Sequence, residues 1–209
     1  MTYDSTRHHR RSIRLRGYDY RQAGAYFVTI CTQNRQYLFG DVVDGQTVLN
    51  GPGEMVDTVW CQLPQHYPGV QVDAFVVMPN HIHGISILLV GAGAPACPGR
   101  PQGVAPTDGD PGRPQGVAPM EMMSLSDVMH RFKSLTTARY RQGVVQGGWP
   151  PFRGRVWQRN YHERIIRDDE ELGRIRQHIV DNPARWMQDP ENPGNIGAHG
   201  HAPPPSDPR

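Results

Sequence analysis

Two histidines one residue apart offer a pair of metal ligands. His81 and His83 follow Pro79-Asn80 and open an apolar run that is typical of a β-strand. Side chains alternate between the two faces of a strand, so both imidazoles lie on one face and Ile82 on the other. Two neutral imidazole nitrogens can then bind one cation, with a third ligand from elsewhere in the chain. The pair alone is also compatible with exposed or hydrogen-bonded histidines.

A second polar row is predicted on the last helix. The acidic run 168–171 favours a helix N-terminus, and Pro183 prevents the helix from continuing. Within that helix Arg174, His178 and Asn182 recur every four residues along the flank of the apolar stripe. Such a row either faces a cleft or forms the solvated edge of an amphipathic helix.

The elements that must position these residues are read from periodicity and turn residues. The sequence predicts, in order, a strand at 25–31, a hairpin at 38–49 turning at Asp44-Gly45, a helix from Glu54 to before Pro64, strands at 70–78 and 81–90, a helix at 125–140, a short strand at 155–160 and the last helix. The predicted turn between the strands at 70–78 and 81–90 brings the two histidines to the end of a sheet.

Basic residues are clustered, although the net charge of the chain is only +2. Residues 1–35 hold seven arginines against two acids, and residues 131–167 hold nine basic residues against one acid. Arginine suits bidentate phosphate contacts, so a nucleic-acid partner explains the two blocks better than an arginine-rich composition alone does. The residues predicted to contact DNA are Arg10, Arg11, Arg14, Arg131, Lys133, Arg139, Arg153, Arg155 and Arg159.

Aromatic residues are interleaved with the second basic block. They are Trp149, Phe152, Trp157 and Tyr161. Aromatic rings among arginines can stack on unpaired bases, and about half of these rings are expected in the core instead.

Composition divides the chain into one domain and three segments without a predicted fold. We expect a basic arm at 1–17, a single domain at 18–187 interrupted by a disordered Gly/Pro-rich insert at 91–120, and a disordered Pro-rich tail at 188–209. The insert contains PGRPQGVAP twice. The sequence has no apolar run of membrane-spanning length, no secretory signal and three scattered cysteines, so we expect a cytoplasmic protein without disulfides, a thiolate zinc site or a membrane partner.

Several of these motifs together resemble the REP-associated tyrosine transposase family of the HUH superfamily. The resemblance rests on RRSIRLRGYDY, AYFVTICTQNR, VDAFVVMPNHIHGI and VWQRNYHERIIRDDEELGRIRQHIVDNPARW, and it covers roughly 10–90 and 121–187. It implies an α+β fold, a ferredoxin-like antiparallel sheet with flanking helices. It also implies Mg²⁺ or Mn²⁺ held by His81, His83 and a third polar residue, Asn182. The implied partner is single-stranded or hairpin DNA, bound by a monomer or homodimer.

The chain departs from the family at the nucleophile. Relatives carry a tyrosine four residues before the Asn-Pro that ends the last helix, and this chain has His178 there. His178 could attack phosphorus itself, join the metal ligands while water attacks, or mark a protein that binds hairpins without cutting them. Tyr161 is the alternative nucleophile. The resemblance thus implies a transposase-like protein that cleaves and rejoins DNA, or an inactive hairpin DNA or RNA binder on the same fold.

Overall fold

A four-stranded antiparallel sheet forms the centre of the fold in the computed structural model, which describes residues 18–89 and 123–195. The strands are β1 (Gly24–Cys31), β2 (Gly40–Val43), β3 (Gln46–Leu49), β4 (Val70–Met78), β5 (His81–Leu88) and β6 (His162–Ile166). The helices are α1 (Gly51–His66), α2 (Leu125–Gln146) and α3 (Asp169–Asp181), with 3₁₀ turns at Gln33–Arg35, Pro183–Gln188 and Pro193–Asn195. The predicted arm at 1–17 and insert at 91–120 lie outside the described residues.

The strand order β4-β5-β1-β6 places the histidine strand inside the sheet. Strand β1 pairs antiparallel with both β5 and β6, and Thr29 lies opposite His83 while Cys31 lies opposite His81. Strands β2 and β3 form a separate hairpin whose turn residues Asp44 and Gly45 have positive φ angles of 51° and 73°. The α+β fold with an antiparallel sheet and flanking helices is therefore confirmed.

One face of the sheet is covered by α1 and α2. Ile82 is fully buried there with Trp60 and Phe132, whose rings meet edge to face with centroids 5.4 Å apart. Gly84 lies beneath this packing, because a Cβ on it would come within 2.5 Å of the Trp60 ring. Ile82 thus fixes the register that turns both histidines to the opposite face.

The opposite face is covered by α3, which begins at the N-cap Asp168. Its buried residues Ile175 and Ile179 pack with Ile85 and Ile166 in a second, smaller apolar cluster. Arg176 of α3 also forms an ion pair with Asp73 of β4. Helix α3 is thereby held across the strands beside the two histidines.

Three sequence predictions about elements need correction. The short strand predicted at 155–160 is wrong, because the last strand is β6 and Trp157 makes only an isolated bridge with Thr32. Trp157 is instead a core residue whose indole N–H donates to the Thr136 hydroxyl at 2.8 Å. Helix α1 continues past Pro64 to His66, since a proline in the last turn costs only one backbone hydrogen bond.

The third correction concerns the C-terminal tail. Residues 188–195, predicted to be part of a disordered Pro-rich tail, continue the fold as an ordered segment. Asp189 and Asn192 are buried within it, and so is Trp186 just before it. We call residues 183–195 the C-terminal strap. The rest of the predicted tail, after residue 195, lies outside the described residues.

Candidate metal centre

His81 and His83 point at one another from the face of the sheet that α3 covers. Their Nε2 atoms are 3.1 Å apart, and both side chains are buried. Phe27 of the neighbouring strand stacks on the His83 ring with centroids 5.3 Å apart. The convergence predicted from strand alternation is therefore present, and it brings two potential ligand nitrogens to one point.

The tautomer of His81 is fixed by its neighbour Asn80. The Asn80 amide nitrogen donates to the carbonyl oxygens of Glu191, at 2.7 Å, and of Arg35, at 3.4 Å. Its Oδ1 is therefore the atom that faces His81 Nδ1 at 2.8 Å, so Nδ1 carries the proton. The His81 Nε2 lone pair is left directed at the site, as a metal-binding histidine requires.

His83 has a more adaptable partner in Thr29. The Thr29 hydroxyl lies 2.8 Å from His83 Nδ1, and a hydroxyl can donate or accept. When the hydroxyl donates, the proton sits on His83 Nε2 and is shared with His81. When it accepts, the proton sits on Nδ1 and both Nε2 lone pairs are available to a cation. The hydrogen bonds of the two imidazoles can therefore be satisfied both with and without a bound ion.

Burial keeps both imidazoles neutral. It lowers the pKa of His81 to about 3, with smaller contributions from the neighbouring Arg35 and His178 side chains. Burial also lowers the pKa of His83 well below its usual value. Neutral imidazole is the form that binds a metal, so no deprotonation is needed at neutral pH.

A carboxylate completes the group, and it comes from the C-terminal strap. The described residues contain one cluster suited to a cation, His81, His83 and Asp189, whose ligand atoms all lie within 4.8 Å of one another. The Asp189 Oδ2 atom is 3.7 Å from His81 Nε2, a contact with neutral imidazole rather than an ion pair. Sequence reasoning missed Asp189, because it lies in the segment predicted to be a disordered tail, although Trp186 just before that segment was an apolar signal.

The strap is anchored so that Asp189 stays in place. Arg35 donates to the carbonyl oxygen of Pro190 at 2.9 Å and pairs with Glu191 at 3.1 Å. Glu191 also accepts the Cys31 thiol, and both burial and this acidic neighbour raise the pKa of that thiol. The strap is therefore a fixed part of the site.

Asn182 lies at the C-cap of α3 and contacts Asp189 of the cluster. Its amide nitrogen donates to Asp189 Oδ2 at 3.0 Å. Its Oδ1 is buried and, within the described part of the chain, lacks a hydrogen-bond partner. A buried acceptor without a donor is costly unless a cation or water satisfies it, so this atom fits a metal site. Two imidazoles, a carboxylate and an amide oxygen together suit a divalent ion.

His178 stands at the open edge of the site. Its ring is exposed, with its centroid 5.3 Å from that of His83 and 6.0 Å from that of Phe27. It is not a member of the cluster of close ligand atoms. Arg174, one turn earlier, is paired with Glu170 at the surface. Of the polar row predicted on α3, His178 therefore lies beside His83 and Asn182 contacts Asp189, whereas Arg174 is paired at the surface.

Tyr161 and Lys133 contact one another on the face of the sheet that α1 and α2 cover. Tyr161 packs against the core on the α1 and α2 face, with the Lys133 ammonium 5.1 Å from its ring centroid. The ammonium donates to the carbonyl oxygens of Gln158, Arg159 and Asn160 at 3.1, 3.3 and 3.2 Å. Three acceptors use all three N–H bonds, and burial lowers the pKa of Lys133 to about 8. Lys133 therefore holds the 158–160 loop from inside.

Replacing Lys133 should destabilise the protein. In Lys133→Met three carbonyl oxygens lose their donor, and we expect a loss of about 2–3 kcal/mol in the free energy of unfolding in urea. Arg131→Met, at an exposed position on the same helix, should change it by less than about 0.5 kcal/mol. Equal stabilities for the two variants would contradict the internal role of Lys133.

The remaining basic residues fall into two groups. Arg131 and Arg139 lie on α2, where Arg131 covers the Tyr67 ring and Arg139 bonds to Gln62. The second group lies in the segment between α2 and β6 and consists of the exposed residues Arg153, Arg155 and Arg159. That segment joins the histidine end of the sheet, since Gln158 donates its backbone N–H to the carbonyl of Cys31. Arg10, Arg11 and Arg14 lie outside the described residues.

An antiparallel sheet carrying a His-x-His pair, with a helix packed beside it, defines an α+β protein with a candidate metal centre. A protein of Haemophilus influenzae described as uncharacterized is 38% identical over 189 residues, which is 90% of this chain and 95% of that protein. No known protein-family model matches the chain. No helix between residues 18–89 or 123–195 is long and apolar enough to cross a membrane.

Two solved structures are similar in fold. One is a REP-associated tyrosine transposase bound to a REP hairpin, with 17% identity, a TM-score of 0.47 and coverage of 79% of this chain and 69% of that one. The other is a transposase-type protein of Deinococcus radiodurans, with 18% identity, a TM-score of 0.38 and coverage of 80% and 95%. The chain belongs to one family with the Haemophilus protein.

Proposed function

We propose that this protein binds single-stranded or hairpin DNA and holds a divalent metal, Mg²⁺ or Mn²⁺, where the DNA backbone meets the sheet. The observation that carries the proposal is that the Nε2 atoms of His81 and His83 lie 3.1 Å apart beside Asp189 and Asn182, with the His81 proton held on Nδ1 by Asn80. Nitrogens bonded to one ion at about 2.1 Å and roughly a right angle would be separated by a similar distance.

The proposed ligands are His81, His83 and Asn182, and we add Asp189, whose ligand atom lies within 4.8 Å of those of the two histidines. When bound, the ion would polarise a phosphodiester and stabilise negative charge developing on its oxygens. Asn80 and Thr29 orient the imidazoles, and Asn182 orients the Asp189 carboxylate through its amide nitrogen. His178, at the open edge of the site, is placed to meet a DNA strand that enters there.

The position of His178 favours two of the three explanations for the missing tyrosine. A metal-ligand role has the least support, because His178 lies outside the cluster of close ligand atoms. Its exposed ring beside His83 suits direct attack on phosphorus as a neutral imidazole. A ring nitrogen would bond to phosphorus as the bond to the 3′-oxygen breaks, and the proton released from the other ring nitrogen would balance the one that the 3′-oxygen takes up from solvent, leaving a phosphohistidine and a 3′-hydroxyl. The same position equally suits the second candidate function, a hairpin-binding protein that has lost cleavage.

Labelled hairpin oligonucleotides incubated with the protein and Mn²⁺ separate these functions. A covalent adduct that maps to residue 178 and disappears in His178→Ala and His81→Ala would establish an enzyme with a histidine nucleophile. Cleavage without an adduct would assign attack to water. Binding without cleavage of any hairpin would establish the binding protein, and an adduct at Tyr161 would contradict the placement of that residue in the core.

DNA binding should depend steeply on salt. Six arginines are proposed to contact phosphates: Arg10, Arg11, Arg14, Arg153, Arg155 and Arg159. For single strands we expect log K to fall with log salt at a slope of about −4. Each alanine substitution among them should reduce the slope by about 0.7. Arg176→Ala, which removes a cation already paired with Asp73, should leave the slope unchanged, and a flat salt response would contradict nucleic-acid binding.

A further inference from the structure

The carboxylate of Asp189 is buried without a positively charged side chain beside it. Its side chain is 4% exposed, and it contacts the amide nitrogen of Asn182 at 3.0 Å, the backbone N–H of Glu191 at 2.6 Å and the neutral His81 ring at 3.7 Å. No lysine or arginine among the described residues forms an ion pair with it. A buried charge without a counter-ion opposes the conformation that buries it. The docked position of the strap therefore carries an electrostatic cost.

The nearby arginine does not supply the missing counter-charge. Arg35 donates to the carbonyl oxygen of Pro190 and pairs with the carboxylate of Glu191. The charges of Arg35 and Glu191 offset one another, so the charge of Asp189 is left unbalanced. A divalent cation at the two histidines would reverse this balance, because it would place two positive charges next to one buried carboxylate.

Uncharged contacts hold the strap in the docked position against this cost. The Tyr37 hydroxyl donates to Asn192 Oδ1 at 2.7 Å, and the Asn80 amide nitrogen donates to the carbonyl oxygen of Glu191 at 2.7 Å. The ring of Trp186 lies with its centroid 6.0 Å from that of His81 and 5.8 Å from that of Tyr37. These anchors flank Asp189 on both sides. The strap cannot leave the sheet without carrying Asp189 away from the histidines.

We propose that divalent-metal binding and docking of the C-terminal strap are coupled, with Asp189 as the link and Arg35 as a positioning residue. The proposal rests on the metal site of the proposed function and adds a means of regulating that site. A cation would balance the buried carboxylate, and the docked strap would supply that carboxylate as a ligand. Because linked equilibria are reciprocal, each event strengthens the other by the same factor. Arg35 acts through Pro190 and Glu191 and not on the ion.

Hydrogen exchange of the full chain with and without Mn²⁺ measures docking of the strap. In the wild type we expect saturating Mn²⁺ to slow exchange in peptides within 186–195 by at least about tenfold, the smaller end of the effect that groups around a metal usually have on its affinity. Asp189→Asn should show no such slowing. Glu170→Gln, which removes a surface carboxylate paired with Arg174, is the matched control and should respond as the wild type does.

Asp189→Asn should also separate a metal-linked role from a merely structural one. Asn182 can turn its amide so that its Oδ1, which lacks a partner among the described residues, accepts from the new amide. Without metal, the variant should unfold at the same urea concentration as the wild type or at a higher one, because a buried charge has been removed. With Mn²⁺ it should unfold at a lower one.

Arg35→Met tests the positioning role by the sign of its effect. A positive charge near the histidines repels a cation, so loss of the charge alone would tighten Mn²⁺ binding. Loss of the anchor instead frees the strap, and we expect Mn²⁺ affinity, followed by electron paramagnetic resonance, to fall by about tenfold. Arg35→Lys keeps the charge and can keep one anchor, so it should recover most of the affinity.

Three outcomes decide between the coupling and the metal site on which it rests. An equal loss of stability in Asp189→Asn with and without Mn²⁺ would overturn the coupling. So would wild-type Mn²⁺ affinity in both Asp189→Asn and Arg35→Met, and a loss of Mn²⁺ in His83→Ala would then leave the metal site intact. An absence of Mn²⁺ binding to the wild type would overturn the metal site and the coupling together.

Discussion

His83→Ala should lose metal binding by at least about 100-fold while the protein remains folded. The substitution removes one of two converging nitrogens, and changes to residues that merely orient such ligands already cost about 10–100-fold. Mn²⁺ titration of the full chain, followed by electron paramagnetic resonance, measures the loss directly. Circular dichroism at the same protein concentration checks the fold.

The matched control for this prediction is His66→Ala, which removes a histidine from the last turn of α1, away from the histidine pair. Its Mn²⁺ affinity should equal that of the wild type. If His83→Ala binds Mn²⁺ as tightly as His66→Ala does, the metal is held elsewhere and the ligand assignment fails.

Gly84→Ala should destabilise the fold by about 3 kcal/mol or more, although the change lies next to His83 and adds only a methyl group. The new Cβ would lie 2.5 Å from Trp60 and 2.9 Å from Phe75, whose rings stack at 4.7 Å and are nearly parallel. Neither ring can move far, because Trp60 is fully buried and also packs against Phe132. Overpacking of this kind is among the larger effects of a single substitution. Urea unfolding measures it.

Gly173→Ala is the control for this prediction, because it should change the free energy of unfolding in the opposite direction. Gly173 lies within α3 with no atom within 4 Å of the position of its Cβ, so alanine should stabilise the helix by about 0.5–1 kcal/mol. Similar unfolding midpoints for Gly84→Ala and the wild type would show that the Trp60 packing is looser than the structure has it.

The alternation of His81, Ile82 and His83 made the centre of the site predictable from sequence. A strand has a strict two-residue period, so the fully buried Ile82 leaves the imidazoles no other face. The hairpin turn at Asp44-Gly45 was predictable for a similar reason, since local residue types determine it. Local sequence patterns were therefore sufficient to predict the sheet and the position of the histidine pair.

The contributions of Asp189 and Lys133 depend on distant contacts, which local patterns do not reveal. The proline-rich composition after residue 187 suggested disorder, but Asn192 is buried there and its amide donates to the carbonyl oxygen of Trp186. Lys133 belongs to a basic block, yet it points at three backbone carbonyls. One signal was present in the sequence: Lys133 is a single lysine among 21 arginines, and a compact ammonium meets three converging acceptors better than a planar guanidinium.

The affinity of one hairpin oligonucleotide with and without Mn²⁺ tests the central claim most directly. If His81 and His83 hold a metal that the DNA backbone also contacts, Mn²⁺ should tighten hairpin binding by at least about fivefold in the wild type and not in His83→Ala. A blunt duplex of the same composition should bind more weakly than the hairpin under both conditions. Equal affinities for hairpin and duplex, with no response to Mn²⁺, would contradict a metal-centred site for unpaired DNA.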